Sequence, residues 1–327
     1  MSRLGPNFDQ FVNNPAPLHE AFFQDPDDVL WMFSKRYNHL PSFLSGHHVH
    51  FAGGYSVSFE MRDRFWNQPR EYPYISRDEN CEEIFIRGND QIYLLLFAAY
   101  GGFLPKALFR FIPAMQIWEH RVLNLDPECY TRNGPVERIT VRAVDVKVDS
   151  KDAYLLVKIA GECSCHHLNL VDGRMEKMFN IKPEIMTIPN ATPIRGAVLD
   201  GKLHFFYGVN DIPIDWVPDR LVTLDLATGE GCEIPLPGGT PPFINEGAKY
   251  TYLRKDGVWV HVQGHIGPAE PTSCALIYTL DLNAEEVRWR KSYMTSTNTT
   301  YAYDHSRDRL IYVDEVGVWE CLSYPPT

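Results

Sequence analysis

An all-β fold built from repeated four-stranded antiparallel units is what the sequence predicts, and three observations carry it. The first is the stretch Val198-Leu-Asp-Gly-Lys-Leu-His-Phe-Phe-Tyr-Gly208, an apolar strand, a tight turn, a second apolar strand and a glycine. The second is the return of this pattern at intervals of about fifty residues along nearly the whole chain. The third is a leucine–polar–leucine element downstream of the glycine: Leu123-Asn-Leu125, Leu168-Asn-Leu170, Leu224-Asp-Leu226 and Leu280-Asp-Leu282. After the last three come turn-like pairs and a fourth strand, as in Cys232–Leu236 or Val287–Arg290. Four strands in a unit of 40–50 residues is the signature of a β-propeller blade.

Taken in order, residues 1–42 do not repeat. Within them Pro15–Phe23 is expected to form a short helix with proline near its start, and Val29–Tyr37 has strand character. Blade one, 43–80, turns at Ser45-Gly46 before His48–Phe51 and leaves through the proline-broken Trp66–Tyr74. Blade two, 81–127, turns at Gly88-Asn89-Asp90 and is the most apolar part of the chain. Blade three, 136–182, alternates cleanly from Ile139 to Val148 and turns at Ser150-Lys151-Asp152. Blades four, five and six, at 194–240, 245–294 and 299–324, turn at Asp200-Gly201, Lys255-Asp256-Gly257 and Ser306-Arg307-Asp308. Asp, Asn, Ser and Gly tolerate the positive φ of hairpin turns. The runs that follow are too short for helices, and most are β-branched or aromatic.

The sixth unit ends one strand short, with Gly317–Tyr324 as its third strand. Open sheet edges invite pairing with other chains. The expectation is therefore a six-bladed propeller of four-stranded antiparallel blades closed by an N-terminal strand, either Val29–Tyr37 or Asn7–Val12. The alternative is seven blades, the extra one incomplete and beginning at Asp25-Pro-Asp-Asp28. The domain division is then 1–42, contributing the closing strand, and 43–327, the propeller.

The units resemble kelch repeats, in which an apolar run ends in a double glycine, followed by an aromatic–acidic pair and a tryptophan. Blade one fits best, with Val49-His-Phe-Ala-Gly53-Gly54, Phe59-Glu60 and Trp66. Blade two keeps Gly101-Gly102 and Trp118, and blade five keeps Trp289 with the single Gly264. The other three have one glycine and no tryptophan in place. What the resemblance implies is adaptor or scaffold work, often in ubiquitin ligase assemblies, although no recognisable F-box or BTB segment stands in this sequence. It also admits enzymes whose sites are assembled from several blades.

Composition narrows the partners. The formal net charge is −11, from 31 basic and 42 acidic residues. That balance opposes a general affinity for nucleic acid or anionic membrane, where a basic patch supplies most of the binding. No apolar run approaches the 18 residues of a membrane span. Met1-Ser-Arg-Leu-Gly-Pro lacks the apolar core of a signal peptide. Seven cysteines at scattered spacing fit reduced thiols, so a cytoplasmic or nuclear location is expected.

Binding is expected where long loops stand on a rigid scaffold. The loops between second and third strands are long in blades two, four and five. Phe103, Trp216 and His265 are their candidate anchors, with Asp211, Asp215 and Glu270 as polar neighbours. His47, His48 and His50 with Cys163, Cys165, His166 and His167 lack the paired spacing of a zinc site, so no metal is expected. Neither a GxSxG elbow nor a GxxxxGK[ST] phosphate loop occurs. Val313-Asp-Glu-Val-Gly-Val-Trp319 departs from the sialidase Asp box in its spacing. The expected role is a non-catalytic module, without cofactor, that binds a protein or peptide on the long-loop face. The alternative is an enzyme acting on a sugar-like small molecule in the central channel.

Overall fold

Hairpin turns set the antiparallel order of this chain. Asn89 and Asp90, Ala160 and Gly161, and Asp200 and Gly201 all take positive φ, as a type I′ connection between right-twisted strands requires. The computed structural model describes residues 2–3, 19–24, 29–35, 44–50, 58–60, 81–98, 103–112, 117–129, 139–188, 191–208, 220–236, 251–265, 274–296, 300–304, 309–314 and 317–320. Every regular element among the described residues is a strand, apart from one 3-10 turn at Pro127–Cys129. Two compact units divide the chain: Met1–Tyr72 with Phe243–Thr327, and Pro73–Pro242.

In the first unit, β1 is Ser2–Arg3, β2 His19–Gln24, β3 Val29–Lys35, β4 Leu44–His50 and β5 Ser58–Glu60. Strands β2 to β5 form the first sheet in sequence order, all antiparallel. Three expectations change here. The helix expected at Pro15–Phe23 gives way to β2, whose Phe22 and Phe23 pair with Met32 and Trp31. Ser45-Gly46, read as a turn, lies inside β4 opposite Ser34 and Phe33. The seven-residue ladder from Val29↔His50 to Lys35↔Leu44 overrides the local preference of one glycine. The division expected between 42 and 43 therefore falls between β3 and β4 of a single sheet.

The second unit holds three four-stranded meanders. The second sheet runs β6 (Cys81–Gly88), β7 (Gln91–Ala98), β8 (Leu104–Ile112), β9 (Ile117–Arg121). After β10 (Asn124–Leu125), the third runs β11 (Thr140–Asp145), β12 (Asp152–Ile159), β13 (Glu162–Asn169), β14 (Arg174–Asn180). The fourth runs β15 (Thr192–Leu199), β16 (Lys202–Gly208), β17 (Arg220–Asp225), β18 (Gly231–Pro235). Leu123–Leu125 is not the third strand of its blade as expected; β10 instead adds in parallel to the outer edge of β14. An edge left bare would be a pairing hazard, and β10 covers this one.

The third and fourth meanders join through their first strands, which pair in parallel at Val144↔Gly196 and Asp145↔Ala197. First strands side by side, with the rest of each sheet running away from them, are the inner strands of adjacent propeller blades. All-β propeller architecture is thus present at the level of the blade. Gly196 permits the close approach: a Cβ there would stand 3.2 Å from Phe205 Cβ and 3.3 Å from Leu156 Cδ1.

Packing explains why the second strands are so apolar. Tyr93, Leu95 and Phe97 of β7 are buried with Leu155, Val157 and Leu168 of the third sheet. Leu156, Cys163 and Cys165, on the third sheet's other face, are buried with Leu203, Phe205 and Val222 of the fourth. A sheet covered on both faces reads as a continuous apolar run, hence Ile92–Phe97. Each large side chain so buried contributes about 1.5–3 kcal/mol.

The first unit continues with a fifth sheet, β19 (Thr251–Leu253), β20 (Val258–His265), β21 (Cys274–Asp281), β22 (Trp289–Ser296). Its sixth contains β23 (Thr300–Asp304), β24 (Arg309–Asp314) and β25 (Gly317–Glu320). The fourth strand of this sheet is β1, with Ser2 opposite Glu320 and Arg3 opposite Trp319. The N-terminal segment that pairs with β25 is neither of the two expected. Val29–Tyr37 contributes β3 to the first sheet, and Asn7–Val12 lies outside the described residues.

Candidate functional site

Three charged residues on first strands of the second unit come together. Arg87 follows Ile84-Phe-Ile86 near the end of β6, Asp145 ends β11, and Arg195 interrupts the apolar run of β15. These three residues come from the first strands of three consecutive sheets and meet. Arg87 Nη2 donates to Asp145 Oδ1 at 2.8 Å, and Arg195 Nη2 donates to Asp145 Oδ2. Their side chains are 15 %, 12 % and 19 % exposed for Arg87, Asp145 and Arg195. The carboxylate is thus held between two guanidinium groups, one from each flanking sheet, each taking a different oxygen. Charge-assisted bonds of this kind are about twice as strong as neutral ones. Arg142, three residues before Asp145, donates to the Val141 carbonyl at 3.1 Å.

This constellation lies toward the tight-turn end of β11, where the chain enters the 146–151 loop. There the second and third sheets are tied by backbone as well: Asn89 N donates to Ser150 O and Asp90 N to Val148 O. The site is therefore locked to a rigid seam of three sheets, as precise positioning requires.

A second polar cluster secures the link between the third and fourth sheets. Tyr207 donates to the Glu233 carboxylate, which also accepts from Thr187 Oγ1 at 3.0 Å and faces Arg220 Nη1 at 3.4 Å. Burial, with the Glu233 carboxylate beside it, pushes the Tyr207 phenol up to about 12. Its partners lie on the link and on the outer strands, so this cluster fixes the link segment.

The histidines and cysteines of β13 divide between faces. His166 is buried; its Nε2 lies 2.9 Å from Ser164 Oγ, which itself donates to Val157 O. That assigns the ring proton to Nε2. Burial lowers the pKa of His166 to about 4. His167 stands between Asp152, 2.8 Å from Nε2, and Glu176, 3.3 Å from Nδ1. Cys163 and Cys165 belong to the apolar cluster facing the fourth sheet.

Of the residues named from sequence, Phe103 is corrected. It is 1 % exposed and packs against Phe97 at 5.5 Å and edge-on to His166 at 5.5 Å. It is a core residue of the seam between the second and third sheets, because the apolar faces there need its ring more than the loop does. His265 is the last residue of β20, opposite Cys274. Asp211, Asp215, Trp216 and Glu270 lie outside the described residues. The sequence reading passed over Arg87, Asp145 and Arg195. The signal for them is a charged residue near the end of β6, at the end of β11 and within β15, the first strands of three successive repeats.

No family model and no curated protein matches this sequence. Solved structures similar to it include an oligogalacturonate lyase in complex with manganese, at 10 % identity, TM-score 0.47, covering 91 % of this chain and 73 % of that one. They include a candidate 6-phosphogluconolactonase from Bacteroides fragilis NCTC 9343, at 10 % identity, TM-score 0.40, covering 95 % and 84 %. They also include the Dos1 propeller, at 9 % identity, TM-score 0.37, covering 90 % and 65 %. The expectation of a non-catalytic protein-binding module on the long-loop face is withdrawn, since its described anchor Phe103 is interior. At these TM-scores none of them lends its activity to this chain.

Proposed function

We propose that the chain is a six-bladed propeller that holds a small anionic molecule, bearing a carboxylate or phosphate, against the inner strands of its second, third and fourth blades. Among the described residues six four-stranded groups succeed one another along the sequence, the third and fourth joined in one nine-stranded sheet with β10 and the last taking its fourth strand from Ser2–Arg3, which supports that blade count and an N-terminal closure. The degenerate double-glycine and tryptophan pattern supports grouping the blades with kelch repeats.

One observation carries the functional reading: Arg87 and Arg195, from flanking sheets, are both oriented by Asp145 on the strand between them. Taking three charged groups largely out of water is expensive, and apolar residues would join the sheets at less cost. A guanidinium oriented by a carboxylate is pre-organised for planar recognition of carboxylate or phosphate. Two such groups on one carboxylate stand out in a protein of net charge −11. This supports the small-molecule class, with Arg87 and Arg195 as ligand-orienting groups and Asp145 as their positioning residue.

A thermal-shift panel tests the reading, with sugar acids, sugar phosphates and the matching neutral sugars, while ligand NMR reads turnover. The charged members are expected to raise Tm and the neutral ones not, and Arg195→Gln is expected to abolish the rise relative to its own baseline. Equal shifts from neutral sugars, or an anion shift surviving in Arg195→Gln, would contradict it.

A further inference from the structure

Lys158 is a buried lysine with no counter-ion among the described residues. It is the penultimate residue of β12, just before the two-residue turn Ala160–Gly161, and it turns into the seam between the third and fourth sheets. It is 9 % exposed. Its Nζ donates to the Ala191 carbonyl at 2.7 Å, and among the described residues no carboxylate pairs with it. An ammonium carries three donors and strong hydration, so one backbone acceptor leaves the charged form poorly served.

The surroundings do not repair this. Its cross-strand partner is Cys163, whose thiol burial pushes up to about 12, so it stays neutral and cannot balance the charge. Leu156, Cys163 and Ala191 belong to the apolar cluster at this seam. Burial lowers the pKa of Lys158 below that of an ordinary lysine. Lys182 is the contrast: it is exposed and paired with Glu230 at 2.6 Å.

Lys158 is separate from the arginine pair. It lies opposite Thr140 at the start of β11, whereas Asp145 ends that strand. Five residues of strand set the two about 16 Å apart along it.

We propose that Lys158 is a carbonyl-reactive amine, a site at which a small aldehyde or ketone forms an imine with Nζ. The Nζ lone pair adds to the carbonyl carbon, and the carbinolamine loses its oxygen as water to leave a C=N bond. A buried amine with a single carbonyl acceptor is the type of lysine that proteins use for such chemistry.

The test is reductive trapping on the intact, folded chain. Propanal supplies the carbonyl and cyanoborohydride the hydride that fixes the imine as a secondary amine. Peptide mass mapping between pH 6 and 9 then compares Lys158 with Lys182. Lys158 is expected to label at least about three-fold faster at pH 7, because a lowered pKa enlarges the free-amine fraction. Its rate should also level off at a lower pH, and the difference should vanish in 8 M urea, roughly the usual denaturing limit. Labelling of Lys158 no faster than Lys182 in the folded chain, or a preference that persists in urea, would overturn the proposal. Because wild-type protein is used, the result does not depend on any variant folding. It also stands apart from the anion panel, which reads a different end of the sheet.

Discussion

Arg87 Nη2 donates to Asp145 Oδ1 at 2.8 Å across 58 residues of sequence, and Arg195 reaches the other oxygen of that carboxylate from the opposite side. One carboxylate thus joins three sheets. Asp145→Ala removes the anion and leaves two partly buried guanidinium groups without it. Breaking such a cluster from one side costs about 3–5 kcal/mol. Urea unfolding should show that loss, and a double-mutant cycle with Arg87→Ala should show coupling between the pair. A loss below about 1 kcal/mol, the range of a surface pair, would mean that water screens the cluster far more than its exposure suggests.

Acid should destabilise the fold earlier than carboxylate titration alone would. Burial lowers His166 and His204 to about 4 and His261 to about 3. In the unfolded chain each takes up its proton near 6.5. Between pH 6.5 and 4 the unfolded state therefore binds up to three more protons, and stability falls as pH falls. The slope reaches up to about 4 kcal/mol per pH unit if all three act together. Unfolding free energies at pH 7, 6 and 5 check this; a value unchanged from pH 7 to pH 5 would contradict it.

Phe103→Ala should act on stability. The ring is enclosed by Phe97, His166 and the cluster they share. Truncation opens a cavity and costs about 3–5 kcal/mol. Chemical denaturation reads that change directly. A variant as stable as wild type would show that Phe103 is not packed as described.

Gly173 is fixed by its neighbour. It takes φ +72, and a Cβ there would stand 1.8 Å from Val122 O. Arg121 and Asn124 also donate to the carbonyls of Val171 and Asp172 in the same turn. Gly173→Ala strains the backbone by about 1–3 kcal/mol and forces β10 off β14. Hydrogen exchange at Asn124 and Asp126, whose amides donate to Gly173 and Met175, should then accelerate. Protection equal to wild type would contradict the tie.

The strand repeat was legible because its cause is local. Turns such as Asp200-Gly201 and Lys255-Asp256-Gly257, flanked by alternating apolar runs, name their own hairpins. Where a local signal competed with pairing at a distance, the reading failed. Gly46 looked like a turn and is a rung of the β3–β4 ladder. Leu123–Leu125 looked like its cognates at 168–170 and 224–226 but pairs with β14 of the next sheet. The site failed for the same reason. Arg87, Asp145 and Arg195 carry no motif spacing, since only the arrangement of three sheets brings them together. The position of Phe103 after Gly101-Gly102 points to a loop, while its burial depends on Phe97 and His166 from other strands.

Isothermal titration of an aldonate or sugar phosphate that scores in the panel, against wild type, Arg195→Lys and Lys182→Gln, tests the anion site most directly. Lysine keeps the charge of Arg195 but loses the planar fork. The account predicts about ten-fold weaker binding for Arg195→Lys, the loss of one charge-assisted bond, and unchanged binding for Lys182→Gln. Equal affinity in wild type and Arg195→Lys, or no measurable binding of any anion to wild type, would contradict it.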